Sequence, residues 1–572
     1  MKQSFSDINE KLFSSCEISS IGAVGTMSLL HGKMAKFFNF IGRALAYTST
    51  RSYGCFLLSF GIAALLLNFG EVYFKEQTVI SVSTLVICGI ILLISIPLLI
   101  FDRPMCIAFQ DFAPTDKLLF EFLSIKRMRR NVLHASVHPA AALVIGLIPA
   151  TLSFLFSMKT VILVLIALVI VSVAFATPEF LMILSLLFAP YLLFLEHGGV
   201  FFAILSLVTF LSFILKVILG KRVFHLSLPD AVFFLFMLSV LVFGLLSDTD
   251  TIDVLITSSL LLCYFPISNL IVNRRLAECA KSAVVISVLP VALSAVVKFI
   301  IIKVGNVTDG EPSAFFDSSA ALTAFMLAGC AATFVYAIER AQRWKRILCF
   351  SFFVVEIAAV TMTLRPESII VFLLSLLAYP ILKSRFVPID VLALLLLLPY
   401  VLMFIPDVAL DAVSDLFGLS VPLSVSFSSY RSMLSEFFDN VWIGAPAEAP
   451  IGANTPLGIA LGYGICSVLL FAVLIVLKLR HISYFRLYTR NSILGATGEM
   501  TSLSMITLLL YGAYYNIFAD CTVLFVFVAM FGISAAVLRT AKQEYDDRMG
   551  YYDDSKSSES SALDVGINHY NR

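Results

Sequence analysis

Long apolar runs broken by short polar connections set the pattern of this chain. A run must supply roughly 17–25 residues to cross the hydrocarbon of a bilayer as a helix. By that measure sixteen stretches are predicted as spans: 53–70, 79–101, 138–157, 160–176, 178–195, 198–219, 230–246, 252–272, 282–302, 316–337, 347–364, 367–382, 387–405, 456–478, 498–515 and 518–538. The expected fold is an all-α, polytopic membrane helix bundle of about 16 (14–16) transmembrane helices. A large external loop, 406–455, separates spans 13 and 14 and is expected to hold short amphipathic helices.

The polar connections orient the bundle. Lys126, Arg127, Arg129 and Arg130, then Lys221 and Arg222, Arg274 and Arg275, Arg340 to Arg346, and Arg480 to Arg490 all fall on one side if the spans alternate. The positive-inside rule makes that side cytoplasmic, with both termini, and predicts a multi-pass protein of the cytoplasmic membrane. Acidic residues collect on the other side: Glu71, Glu76, Asp248, Asp250, Asp253, Asp309, Glu311 and Asp407 among them. Four regions follow: 1–50, a cytoplasmic amino-terminal segment with the basic, aromatic stretch Met34–Ala46; 51–264, amino-terminal spans; 265–538, a second set of spans holding the external loop; and 539–572, a polar tail read as disordered.

Composition agrees and adds exclusions. Sixty per cent hydrophobic residues against 13% charged, in 572 residues, leave too little polar surface for a water-soluble globule. A net charge of +1 with basic residues scattered over short loops gives no nucleic-acid signal. The ten cysteines fall in apolar spans or cytoplasmic segments, so neither a disulfide nor a zinc site is predicted.

Candidate chemistry lies in the external loop and beside it. Only two of 21 arginines, Arg365 and Arg431, fall outside under this topology. Arg365 precedes Pro366 and Glu367, which suit the first turn of a returning helix whose positive dipole end then faces outward. A guanidinium there is a ready anion site, although pairing with Glu367 would also account for it. Arg431 opens a helical pattern with Leu434, Phe438 and Trp442 on an apolar stripe expected to lie down on the bundle. Glu436 and Asp439 are candidate bases, Glu448 and Asn454 candidate acceptor contacts, and His197 is the one external histidine. Glu356 is the clearest charge inside a span, read as hydrogen-bonded within the bundle or as an ion site.

Four stretches carry a resemblance. Phe315-Phe316-Asp317-Ser318-Ser319-Ala320-Ala321 opens a helix, Thr361–Arg365 ends one, Arg431–Gly444 runs an arginine to a glycine-bearing loop, and Ala453-Asn454 is followed by nine residues and Gly464. In this order they are similar to the elements of the O-antigen ligase and O-antigen polymerase superfamily, over about residues 265–538. The resemblance implies glycosyl transfer from an undecaprenyl-diphosphate-linked saccharide at the outer face of the membrane, without a cofactor or metal. On that reading Arg431 is expected to bind the diphosphate, Arg365 to bind phosphate or orient the loop, and Glu436, Asp439 or Glu448 to act as acceptor base. Asn454 is expected to orient the acceptor or close the loop, with Trp442, Glu448 and His197 as further substrate contacts. Ala453 stands where the ligases carry histidine, which favours a surface-polysaccharide polymerase over a ligase. The implied partners are membrane lipid and other polysaccharide-assembly membrane proteins. A flippase or other secondary transporter is the rival class, and would bury charge near the midplane.

Overall fold

The structure is a computed structural model. It describes residues 16–18, 44–75, 82–123, 137–192, 198–218, 222–247, 250–304, 318–339, 343–363, 365–384, 388–402, 441–444, 454–489 and 493–569, with residues 125, 127, 316 and 438. A helix covers each of the sixteen apolar stretches, since a chain without water to bond its backbone must satisfy those groups internally. In order these are α1 (Thr50–Lys75), α2 (Val82–Ile100), α3 (Pro139–Leu155), α4 (Met158–Ala176), α5 (Pro178–Leu192), α6 (Gly198–Ile218), α7 (Leu228–Leu246), α8 (Thr251–Leu262), α9 (Tyr264–Leu270), α10 (Arg274–Val304), α11 (Ser319–Glu339), α12 (Arg343–Met362), α13 (Pro366–Lys383), α14 (Ile389–Leu402), α15 (Thr455–Tyr488), α16 (Ile493–Tyr511) and α17 (Cys521–His569). Among the described residues nine helices are long and apolar enough to cross a membrane; α2, α3, α4, α5 and α14 offer shorter apolar stretches. Large apolar side chains such as Leu66, Leu93 and Ile100 are exposed on these helices, as lipid-facing residues are. The protein is a helical membrane protein.

Three features depart from the sequence reading. The stretch 252–272 is two helices, α8 and α9, divided at Cys263. The fold is not wholly helical: β1 (Cys16–Ile18) pairs antiparallel with β2 (Phe224–Leu226), between α6 and α7, where each short strand supplies the other with backbone partners. The tail, read as disordered from Gln543, continues α17 as helix to His569. That segment has no proline, and a helix already nucleated by an apolar run propagates cheaply through polar residues.

The chain forms two compact units, Ile21–Leu181 and a larger one of Met1–Ser20 with Met182–Arg572. In the smaller, α1 packs on α2 and α3 around Phe60, Ala64, Cys88 and Ala150. The α1–α3 approach is very close: a side chain at Gly146 would meet Ser59 Oγ at 2.0 Å. Small residues that let backbones approach take the place of hydrophobic drive between helices in lipid.

The larger unit is built round α16, buried along its whole length between α11, α13, α10 and α17. Ser504, midway along α16, donates to Ala328 O, midway along α11, at 3.0 Å. The Thr455 N to Gly512 O and Tyr400 hydroxyl to Leu509 O bonds bring the end of α16 to the start of α15 and the end of α14. One end of the unit, the loop end, thus gathers the starts of α11, α15 and α17 and the end of α16. At the opposite end Arg274 grips Glu544 at 2.7 Å and Lys383 approaches Glu339 at 3.6 Å. We call this the basic end.

Candidate functional site

Arg365 lies at the loop end, immediately before α13. Pro366 fixes the backbone at the first helical position and places Arg365 in the extended cap conformation. Its guanidinium turns to the start of α11, where Nε and Nη2 donate to Ser319 Oγ at 3.2 and 3.1 Å. Nη1 stands 3.7 Å from Glu367 Oε1, so the ion pair weighed from sequence is present, at long range. Ser318 beside it caps α11, its Oγ accepting from Ala321 N at 3.0 Å. Phe316, from the same stretch, is buried against Phe325. Two of the four resembling stretches therefore meet in space. One guanidinium stands at two helix amino termini, with a single carboxylate within 4 Å among the described residues and 37% of its side chain exposed, and such a spot attracts anions.

The other two stretches are also joined. Asn454 caps α15, its Oδ1 accepting from Leu457 N at 2.9 Å, and is buried. That bond places Asn454 at the helix start, at the boundary between the external loop and the bundle. Thr455 ties the same point to the segment after α16: its N donates to Gly512 O at 2.7 Å, its Oγ1 donates to Tyr515 O and accepts from Ile517 N. Ten residues on, α15 is interrupted at Gly464, with φ 73° and ψ 174°. Ile465 N leaves the helical ladder and donates instead to Val441 O at 3.0 Å. The turn at 441–444, at the end of the external loop, is thus bonded into an opening in the helix. Gly444, φ 98°, completes the approach, since a side chain there would meet Leu461 O at 2.3 Å.

This anchoring corrects the expectation for the apolar stripe. Phe438 and Trp442 are 66% and 71% exposed, so they do not lie down on the bundle. Backbone bonds hold this part of the loop, which frees an aromatic ring such as Trp442 for the lipid interface. Arg431, Glu436, Asp439, Glu448 and His197, and any amphipathic helices elsewhere in the external loop, lie outside the described residues. Among the candidates the structure therefore joins Arg365 to Ser319, and the Trp442 turn to the helix that Asn454 starts.

Glu356 on α12 is fully buried; its Oε1 accepts from Thr333 Oγ1 on α11 at 2.9 Å, while among the described residues Oε2 has no hydrogen-bond partner and no cation pairs with it. A carboxylate there would be uncompensated in a dry bundle, so the site suits a neutral acid. Glu356→Gln keeps the acceptor for Thr333. The variant is expected to unfold within about 1 kcal/mol of the parent in nanodiscs, by thermal melting, and to keep its activity. Full stability with lost activity would make Glu356 an ion or proton site instead.

The sequence reading missed a polar cavity of about 420 Å³ at the basic end, lined by Asp230, Tyr264, Lys478, His481 and Arg539 among others. Lys478 and His481 close an apolar run and read there as an ordinary positive flank with Arg480. The signal in the sequence is their i, i+3 spacing, which places both on one face of α15. Asp230 reads as a first-turn acid of α7, which it also is. Among the described residues no group of three or more histidine, cysteine, aspartate or glutamate side chains is arranged to hold a metal. No protein-family model matches the chain, and no curated protein sequence matches it.

Proposed function

We propose that the protein is a membrane glycosyltransferase. It acts on a saccharide carried by undecaprenyl diphosphate at the outer face of the cytoplasmic membrane, and its product is a longer surface polysaccharide. The sixteen helical stretches are its spans, with both termini inside. The observation that supports this reading is the Arg365–Ser319 pairing at the loop end. Residues singled out from two separate stretches combine into one anion-attracting spot, on the end of the bundle that also receives the external loop. A diphosphate leaving group is already activated, so the protein has only to position two sugars and stabilise charge building on phosphate. Arg365 and Arg431 supply that charge, and no metal is required for the step. Glu436 or Asp439 takes the acceptor proton.

The test is reconstitution of the whole protein in liposomes with a lipid-linked repeat unit. Longer glycan chains are the expected product. Transfer to a second lipid or protein acceptor would make it a ligase, and movement across the bilayer without a new glycosidic bond would replace the proposal with a flippase.

A further inference from the structure

We propose that the cavity at the basic end of the larger unit binds a phosphate-type anion, either free or as a lipid headgroup. This site is separate from the loop end and does not rest on the glycosyl-transfer reading.

The cavity lies between β2 and the amino end of α7, the short helix α9, the later turns of α15 and the stretch 531–546 of α17. Its size, about 420 Å³, falls in the range of small-ligand pockets and far exceeds the ~30 Å³ share of one water. Lys478 is the key group. It is only 3% exposed, and its Nζ donates to one backbone carbonyl, Phe531 O, at 3.3 Å, while resting 4.6 Å from the Phe531 ring centroid. An ammonium has three donors, so two remain for the cavity it lines.

Two carboxylates line the cavity, Asp230 and Asp546, and the first is already committed. Asp230 accepts from Ser227 N at 2.7 Å, from Ser227 Oγ at 2.6 Å and from the Tyr264 hydroxyl. Both of its oxygens are engaged, and no ion pair within 4 Å joins it to Lys478. A buried ammonium is costly without a close counter-charge, and an anion in the cavity would supply one.

The basic residues that line the cavity come from three elements. Lys478 and His481 come from α15, Arg539 and Lys542 from α17, and His225 from the β2 side. A tetrahedral phosphate meets donors arriving from three sides, whereas a planar carboxylate presents oxygens in one plane. Arg539 is held in place by Ser268 O and by Asn269 Oδ1, the latter at 3.3 Å, so the wall is fixed before a ligand arrives. The same Asn269 Oδ1 accepts from His225 N at 2.8 Å. The β1–β2 ribbon is therefore tied to this wall, which gives the ribbon a role in forming the site. Leu477, Leu538 and Phe531 supply an apolar side that would receive the glycerol or acyl portion of a lipid.

The full-length protein in phosphatidylcholine nanodiscs is titrated with phosphatidic acid, retention being read by native mass spectrometry, and separately with radiolabelled inorganic phosphate by equilibrium dialysis. Saturable binding of either probe is expected, and Lys478→Met should weaken it at least about tenfold, the effect of losing one charge-assisted contact. Binding of phosphatidic acid alone assigns a lipid headgroup; binding of inorganic phosphate assigns a free anion. Lys542→Gln, at the mouth, gives a second variant should Lys478→Met fail to fold, and should weaken binding about threefold. Absence of binding by both probes, or binding that the folded variants leave unchanged, overturns the proposal.

Discussion

Replacing Gly464 with valine is expected to release the end of the external loop and to destabilise the larger unit by about 3 kcal/mol or more. The backbone at Gly464 has φ 73°, a region that a β-branched residue enters only under strain, which alone costs about 1–3 kcal/mol. Space adds to this cost. The first carbon of any side chain would stand 2.2 Å from Trp442 O, and that atom is backbone and cannot swing aside. Relief requires the 441–444 turn to withdraw, which breaks the Ile465 N to Val441 O bond. Hydrogen exchange at the Ile465 amide should therefore accelerate together with a lower melting temperature. Gly462→Ala is the control, because nothing lies within 4 Å of a side chain there. It should leave both readings unchanged. A slow Ile465 amide in the valine variant would show that the turn is held by something other than this backbone opening.

The contrast between these two glycines marks what the sequence makes legible. Run length and hydropathy locate the apolar stretches that fold as helices, nine of which among the described residues are long and apolar enough to cross a membrane, because that is a local property of about twenty consecutive residues. The spacing from Asn454 to Gly464 is visible too, but its meaning is not: Asn454 caps a helix through Leu457, while the interruption at Gly464 depends on Val441 in another segment. Arg365 is conspicuous as an outlying arginine, whereas its contact with Ser319 spans two intervening helices and leaves no local pattern. Lys478 is harder still. At the end of an apolar run a lysine normally snorkels to the interface, and only the packing of α15 against α17 turns it inward beneath Phe531. The β1–β2 pairing is equally illegible, since three-residue strands carry no periodicity.

For Arg365 the expected result is a graded loss of transfer. Arg365→Ala should lower activity at least about 100-fold, the usual effect of removing one preorganised donor from a charge-building step. The fold should survive, because the Arg365 side chain is over a third exposed and stands 3.7 Å from the buried Glu367, which burial favours as a neutral acid once the guanidinium is gone. Arg365→Lys keeps the charge but loses the fork, so it can bond Ser319 or a phosphate oxygen but not both in one plane. An intermediate loss, about tenfold, is expected. Ser319→Ala separates positioning from charge: it leaves the guanidinium and removes the oxygen that both Nε and Nη2 address. Its effect should appear mainly as a raised KM for the lipid-linked donor with a smaller change in kcat, since a guanidinium no longer held in place binds phosphate less well but still carries its charge. Raising ionic strength should deepen the Ser319→Ala defect more than that of the parent, because a loosely held surface charge is screened more effectively. Equal kcat and KM in Arg365→Ala and the parent would leave Arg365 as the exposed partner of Glu367 and nothing more, and the chemistry would then have to be sought elsewhere in the chain.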